Sequence, residues 1–302
     1  MKLIELLKKP FMPLGKIETP TAYQVLVEPL NNVSLQRETE MKFFASLRLR
    51  NGVTRFTYEN RLETLDDWLI GFLSSRSFHR ILDVGISSGI TTVELGRKLE
   101  KGKYNFEIIG IDKQVDAFLI RFDEQNSVLI DTSGFPLHFE INGRGFGYVS
   151  GTNVINLARR RYLGKRAIRI FNLTRSNRFH ENPLNSRKDF PRILKTRLLC
   201  NEIQGNQLIK VREADIFTDD VGSDYSLVRV ANLFNESYFS RLQLVDGIEK
   251  IRSLLKIEGY LLVCRTNSDG VTNATLFNLN NKRRFRVVQR FGNGSEIESL
   301  VR

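Results

Sequence analysis

The chain has 302 residues, with 46 Lys and Arg against 34 Asp and Glu, a net charge of +12, and 41% hydrophobic residues. That balance excludes a disordered or fibrous chain and leaves room for one large domain or two small ones. Two cysteines, Cys200 and Cys264, exclude a disulfide framework or a four-cysteine zinc site, and His79, His138 and His180 have no metal-ligand spacing, so no metal is expected.

No stretch approaches the ~20 consecutive apolar residues of a membrane span. The first ten residues break their apolar run with Glu5, Lys8 and Lys9, unlike a secretory signal. The expectation is a cytoplasmic protein, with peripheral attachment to a membrane left open. Residues 1–60 form a mixed N-terminal extension; Pro10, Pro13 and Pro20 interrupt helices, and Thr21–Glu28 reads as a strand. From residue 61 to 302 the pattern is that of one domain with an interruption. Leu62, Leu65, Trp68, Leu69 and Phe72 recur at helical spacing, so Arg61–Leu73 is an amphipathic helix with Trp68 in the core. Arg80–Val84 is a short apolar strand that runs into a Gly/Ser turn, and Ile90, Val93 and Gly96 continue at helical spacing. Phe106–Asp112 is a second buried strand. Strand, helix and strand make a βαβ unit, the seed of a parallel sheet.

Three further strand-like runs follow, Ser127–Ile130, Leu137–Ile141 and Phe146–Val149. Leu208–Ala214 and Tyr225–Ala231 return to the buried-strand pattern. Ser240 and Gln243 form a capping box, followed by Val245, Ile248, Ile251 and Leu255 on one helical face and by Gly259 as a stop. Gly259–Cys264 is another buried strand. Ala274–Leu279 and Phe285–Phe291 form a closing hairpin around Asn280-Asn281, with asparagine expected to supply the positive φ.

The chemistry is concentrated in the first strand-turn-helix. Gly85, Ser87 and Gly89 keep the turn small enough for a ligand to approach the backbone. The helix beyond offers unpaired N–H groups and a partial positive charge. Asp83 precedes the turn by two residues. Asp112 ends the second strand, where an acid can hydrogen-bond ribose hydroxyls. A dinucleotide fingerprint G-x-G-x-x-G fails, because Ser87 and Ile90 stand at its second and third glycines. The pattern hydrophobic-hydrophobic-Asp-x-Gly-x-x-x-Gly instead resembles motif I of the class I S-adenosylmethionine-dependent methyltransferases. Other segments agree in order. Asp112 matches the acid of that family's second motif, Asp215-Ile216 its adenine-contacting third, and Val230-Ala231-Asn232-Leu233-Phe234 its fourth. Leu255–Val263 is similar to the family's LKPGG-then-strand signature.

The resemblance spans roughly residues 78–125 and 205–300. It implies a Rossmann-like α/β fold: a seven-stranded, mostly parallel sheet ending in an antiparallel hairpin. It also implies S-adenosylmethionine as cofactor, with Asp83, Gly85, Ser87, Gly89, Asp112, Asp215, Ile216 and Asn232 as its binding residues. The link between the fifth strand and the hairpin is shorter than the family's usual helix. The Asn/Asp-Pro-Pro-Tyr/Phe motif of many nitrogen methylators is absent, since this chain reads Asn232-Leu233-Phe234-Asn235. Methyl transfer from a sulfonium needs alignment above all, and a base only for a protonated, weak acceptor. Asn232 is the candidate contact to cofactor or acceptor, and Glu236 the nearby proton acceptor. The alternative to catalysis is a non-catalytic Rossmann-like protein whose basic insertion binds a membrane surface or RNA.

That insertion lies at about 126–205, since Asp112 and Asp215 are far more widely separated than one helix and turn require. Residues 159–197 hold 13 Lys and Arg and 2 Asp and Glu, a net +11, so the rest of the chain is nearly neutral. Within Val154–Leu173, Arg159, Arg160, Arg161, Lys165, Arg166 and Arg169 interleave with aliphatic and aromatic residues. A solvated basic surface, an anionic-membrane contact and a nucleic-acid contact are all compatible with that pattern.

Overall fold

The computed structural model describes residues 19–301, apart from 51, 53, 54, 56, 74–76, 148–153 and 177–189. His180 and the segment before Thr19 lie outside the described residues. The chain divides into two compact units. One comprises Thr57–Val115 with Leu198–Arg302, the other the residues before Thr57 with Asp116–Arg197.

The first unit is a three-layer α/β structure. It contains α3 (Glu63–Ile70), β1 (Phe78–Val84), α4 (Ile90–Lys101), β2 (Asn105–Asp112), α6 (Asn201–Gln204), β8 (Ile209–Glu213), β9 (Tyr225–Ala231), α7 (Arg241–Leu254), β10 (Leu255–Thr266), β11 (Thr272–Leu279) and β12 (Phe285–Phe291). Among the described residues its sheet has seven strands in the order β12-β11-β10-β9-β1-β2-β8. β8, β2, β1, β9 and β10 are mutually parallel, while β11 is antiparallel to both β10 and β12. This is the expected mostly parallel sheet with a C-terminal antiparallel hairpin.

Strand alternation sends successive side chains to opposite faces, and two apolar clusters result. Leu82, Val84, Val228 and Val230 face α7 through Leu244, Ile248 and Ile251. Ile81, Ile108, Leu227 and Leu262 face α3 and α4 through Leu65, Leu69, Val93 and Leu99. Trp68 is half-buried and packs edge-on against Phe72 and Phe291. α7 begins at the expected capping box: Ser240 Oγ accepts from Gln243 N, and Gln243 Oε1 accepts from Ser240 N. The hairpin turn differs from expectation. Its positive φ falls on Arg283 (54°), while Asn280 acts through its side chain, whose Oδ1 accepts from the N–H groups of Lys282 and Arg284. An asparagine oxygen can close a turn without its own backbone leaving the ordinary region.

The second unit holds α1 (Ala22–Leu26), α2 (Val33–Ser46), β3 (Asp116–Arg121), β4 (Ser127–Asp131), β5 (Pro136–Ile141), β6 (Arg144–Gly147), α5 (Val154–Ser176) and β7 (Arg192–Arg197). Among the described residues its strands form a five-stranded antiparallel sheet, β6-β5-β4-β3-β7. α5 lays Leu163, Ala167 and Phe171 on Val128, Ile130 and Phe139. One sequence expectation is corrected here. Within Thr21–Glu28, Ala22–Leu26 is helix, not strand, because Thr21 and Gln24 form a capping box across the first turn. β3 and β7, which the sequence pattern does not mark, pair directly along Asp116–Arg121 and Arg192–Arg197.

His138 is buried in β5. Its Nε2 lies 2.8 Å from Thr19 Oγ1 and its ring centre 5.2 Å from that of Phe43. Burial, helped by the Arg160 charge, pushes its pKa down to about 3, so the imidazole is neutral in the folded chain. Arg160 is likewise turned inward, over the Phe146 ring with Nη1 3.4 Å from Gly147 O, and is 5% exposed. It therefore leaves the set of cations open to a partner. No helix among the described residues is long and apolar enough to cross a membrane.

Candidate nucleoside site at the switch point of the parallel sheet

β2 and β8 lie on one side of β1, and β9 and β10 on the other. The chain therefore reverses its direction of travel at β1, and the carboxyl ends of β1 and β9 border the crevice where open α/β sheets bind ligands. The turn from Gly85 to Gly89 sits at that end. Gly85, Ser87 and Gly89 all have positive φ (77°, 55° and 83°). A serine held left-handed is a strained choice that surrounding bonds must enforce. They do: Ser87 N donates to Asp112 Oδ2 at 2.8 Å, and the Gly85 and Ile86 N–H groups donate to Ile111 O at 2.8 and 3.2 Å. Asp112 Oδ1 accepts in turn from Gln114 N at 3.0 Å. The carboxylate is thus half-buried and oriented by backbone donors at the mouth of the turn.

Asp215 reaches the same end of the sheet. Ala214 N donates to Asp112 O, and Lys113 Nζ lies 2.7 Å from Asp215 Oδ2. Ile216 is buried with Ile109, Ile111 and Val221. Asn232 directly follows β9 with φ 59°; its N–H donates to Cys264 O and its Oδ1 accepts from Thr266 N at 2.7 Å. The amide oxygen therefore ties β9 to β10, leaving the Nδ2 group as the part of Asn232 able to meet a ligand. Glu236 is exposed, and its backbone N–H donates to Glu296 Oε1 at 3.2 Å. Among the described residues no partner orients its carboxylate.

Asp83 is placed differently from the rest. It shares the face of Ile81, so its side chain runs under α4 and away from the crevice. Its oxygens accept from Arg229 Nε (3.0 Å), Arg229 Nη2 (2.6 Å) and Thr92 Oγ1 (2.7 Å), and it is 2% exposed. Arg229 stands beside it on β9, in register, and also reaches Asp66 Oδ1 at 2.9 Å and Thr91 O at 3.0 Å. Arg229 and Asp66 are fully buried. Sequence reading missed both. An arginine in the apolar run Tyr225–Ala231 was the available signal, since a buried guanidinium must be paired. It also missed Leu233 and Ile203. A Cβ on Gly85 would stand 3.0 Å from Leu233 Cδ2, and one on Gly89 only 2.5 Å from Ile203 Cδ1. Both glycines thus serve close packing of the chain's own side chains.

The buried triad carries two carboxylates against one guanidinium. Burial pulls the Arg229 pKa down, but Asp83 and Asp66 outweigh it and hold the group above its ordinary value. Burial raises Asp66 from 3.8 to about 6, against the pull of Arg229, and its Oδ2 has no hydrogen-bond partner. The native state therefore holds an extra proton between pH 3.8 and about 6. That stabilisation is full below the unfolded pKa and is lost as pH rises through about 6, a change on the order of 3 kcal/mol at ~1.4 kcal/mol per unit. Denaturant melts of wild type and Asp66→Asn at pH 4.5 and pH 7 check this. The wild type is expected to lose stability toward pH 7 relative to the variant, and parallel profiles would refute the assignment.

No family model matches the sequence, and no curated protein is similar to it in sequence. Distant likeness is found among solved structures. The N-methyltransferase NodS of Bradyrhizobium japonicum, solved with S-adenosyl-L-homocysteine, aligns with a TM-score of 0.31 and 12% identity over 68% of this chain and 62% of that one. The S-adenosylmethionine-dependent methyltransferase SibL gives 0.31 and 13% over 67% and 36%, and the [4+2]-cyclase SpnF 0.32 and 13% over 70% and 47%. The chain thus spans less than two thirds of the length of these neighbours.

Proposed function

We propose that the crevice beyond β1 and β9 binds S-adenosylmethionine and that the protein transfers its methyl group to an acceptor. The observation that carries this is the Asp112 carboxylate, held by Ser87 N at the mouth of a left-handed turn at the switch point. These residues fit the cofactor: Asp112 for the ribose hydroxyls, the N–H groups that open α4 for its polar end, and Asn232 Nδ2 as a further donor. Asp215, paired with Lys113, borders the same end and would contact the adenine if the resemblance to the third motif holds for it. Asp83 acts one layer deeper, fixing the end of β1 through Arg229. The bound cofactor supplies an activated methyl group; the chain supplies position and alignment. Glu236, solvated and unoriented, is not assigned a proton-transfer role.

Calorimetric titration with S-adenosylhomocysteine tests the proposal. Asp112→Asn keeps an acceptor for Ser87 N but loses the charge, and is expected to weaken binding about 10- to 100-fold, the scale of a charge-assisted hydrogen bond. Leu233→Ala is expected to tighten binding a few-fold, because Leu233 covers Gly85, and Leu233→Trp to weaken it. Absence of binding by the intact, folded wild type would overturn the proposal.

A further inference from the structure

The outer face of α5 is a cationic surface that the methyl-transfer reading does not use. The helix has seven Lys and Arg and no Asp or Glu in 23 residues. Its apolar side is spent on the antiparallel sheet through Leu163, Ala167 and Phe171. The opposite side exposes Arg159, Arg161, Lys165, Arg166 and Arg169, none of which forms an ion pair among the described residues. Arg166 additionally rests its guanidinium 4.9 Å from the Phe122 ring centre, which stiffens it. Tyr162 is 64% exposed in the middle of this face. On a helix its neighbours are the residues three and four away, three of which, Arg159, Lys165 and Arg166, are cations and the fourth Ala158, with Arg169 two turns on.

We propose that this face binds single-stranded nucleic acid, with the cations on successive phosphates and Tyr162 stacking on a base. Four of the five exposed cations are arginines, whose planar fork matches a phosphate bidentately. An exposed tyrosine flanked by cations is the arrangement that tracks a backbone and stacks a base without reading sequence. An interfacial membrane helix would have to bury its apolar side in acyl chains, and α5 has already buried that side in protein. The net charge of residues 159–197, +11 against a nearly neutral remainder, concentrates the attractive field on this one unit.

Fluorescence anisotropy of the full chain with a labelled oligouridylate, titrated at several salt concentrations, tests the proposal. Affinity is expected to fall steeply with salt. In Arg161→Gln/Lys165→Gln/Arg169→Gln the log–log slope is expected to shrink by about 2, at ~0.7 for each phosphate no longer neutralised, and affinity to drop at least tenfold. Tyr162→Ala is expected to weaken binding about 5- to 100-fold with the slope unchanged, since stacking is not ionic. All four side chains are exposed, so unchanged melting is expected and serves as the folding control. Wild-type affinity in the triple variant would overturn the proposal. So would capture by phosphatidylserine vesicles together with failure to bind the oligouridylate.

Discussion

Arg229→Ala is expected to cost about 3–5 kcal/mol, the largest loss of any single substitution outside the apolar core. The substitution strands two buried carboxylates, Asp83 at 2% exposure and Asp66 at 0%, with no cation to replace the one removed. It also frees Thr91 O at the start of α4. Against a typical domain stability of roughly 5–15 kcal/mol, that is enough to populate unfolded chain. Arg229→Lys is expected to fall between, because an ammonium is a point charge and cannot form the fork that reaches both carboxylates. The informative control removes the whole group. Arg229→Met with Asp66→Leu and Asp83→Leu is expected to recover most of the loss, since an apolar replacement of a buried ionic cluster is often neutral or stabilising. Urea melts of the three variants separate these outcomes. A loss under about 1 kcal/mol for Arg229→Ala would show that the triad does not hold the β1–β9 seam.

Gly89→Ala is expected to cost about 2–5 kcal/mol from two sources that can be told apart. One is backbone: φ of 83° disfavours any L side chain by roughly 1–2 kcal/mol. The other is overpacking, about 1–3 kcal/mol, because the new methyl would stand 2.5 Å from Ile203 Cδ1. α6 cannot simply retreat, since Cys200 N, just before it, donates to Ser88 O at 2.8 Å and ties it to the same turn. In a double-mutant cycle with Ile203→Ala the packing part should vanish and the backbone part remain, so coupling of about 1–3 kcal/mol is expected. Additive effects would place the whole cost in the backbone.

Both predictions turn on side chains that local pattern did not reveal. The seven strands, the two-face alternation, the Ser240 cap and the Gly85–Gly89 turn were legible because each is written in neighbouring residues. So was Asp112 at the mouth of the turn, since a strand-end position follows from where the apolar run stops. Thr21–Glu28 was misread because aliphatic residues suit either element; the deciding feature was the Thr21–Gln24 capping box. β3 and β7 were not marked because an antiparallel pair formed across more than seventy residues leaves no local signature. His138 stands between Leu137 and Phe139, but alternation along the strand gives it the opposite face from both, and an imidazole there does not by itself announce burial as deep as 1%.

What the sequence determined by itself is the order and type of the elements around the turn, and the concentration of positive charge in one segment. Spacing, caps and composition act within a few residues of the chain and need no knowledge of the fold. The tertiary structure decided which way each functional group points. Asp83, two residues before the turn, faces inward because Arg229, 146 positions later, stands beside it in the parallel register. Leu233 and Ile203 cover the glycines because the strands and α6 bring them there. Arg160 is buried while Arg159 and Arg161 are exposed, because a helix turns about 100° per residue and only one side of α5 meets the sheet. Electrostatic and packing partners are chosen by proximity in space, and that proximity exists only once the sheet has formed.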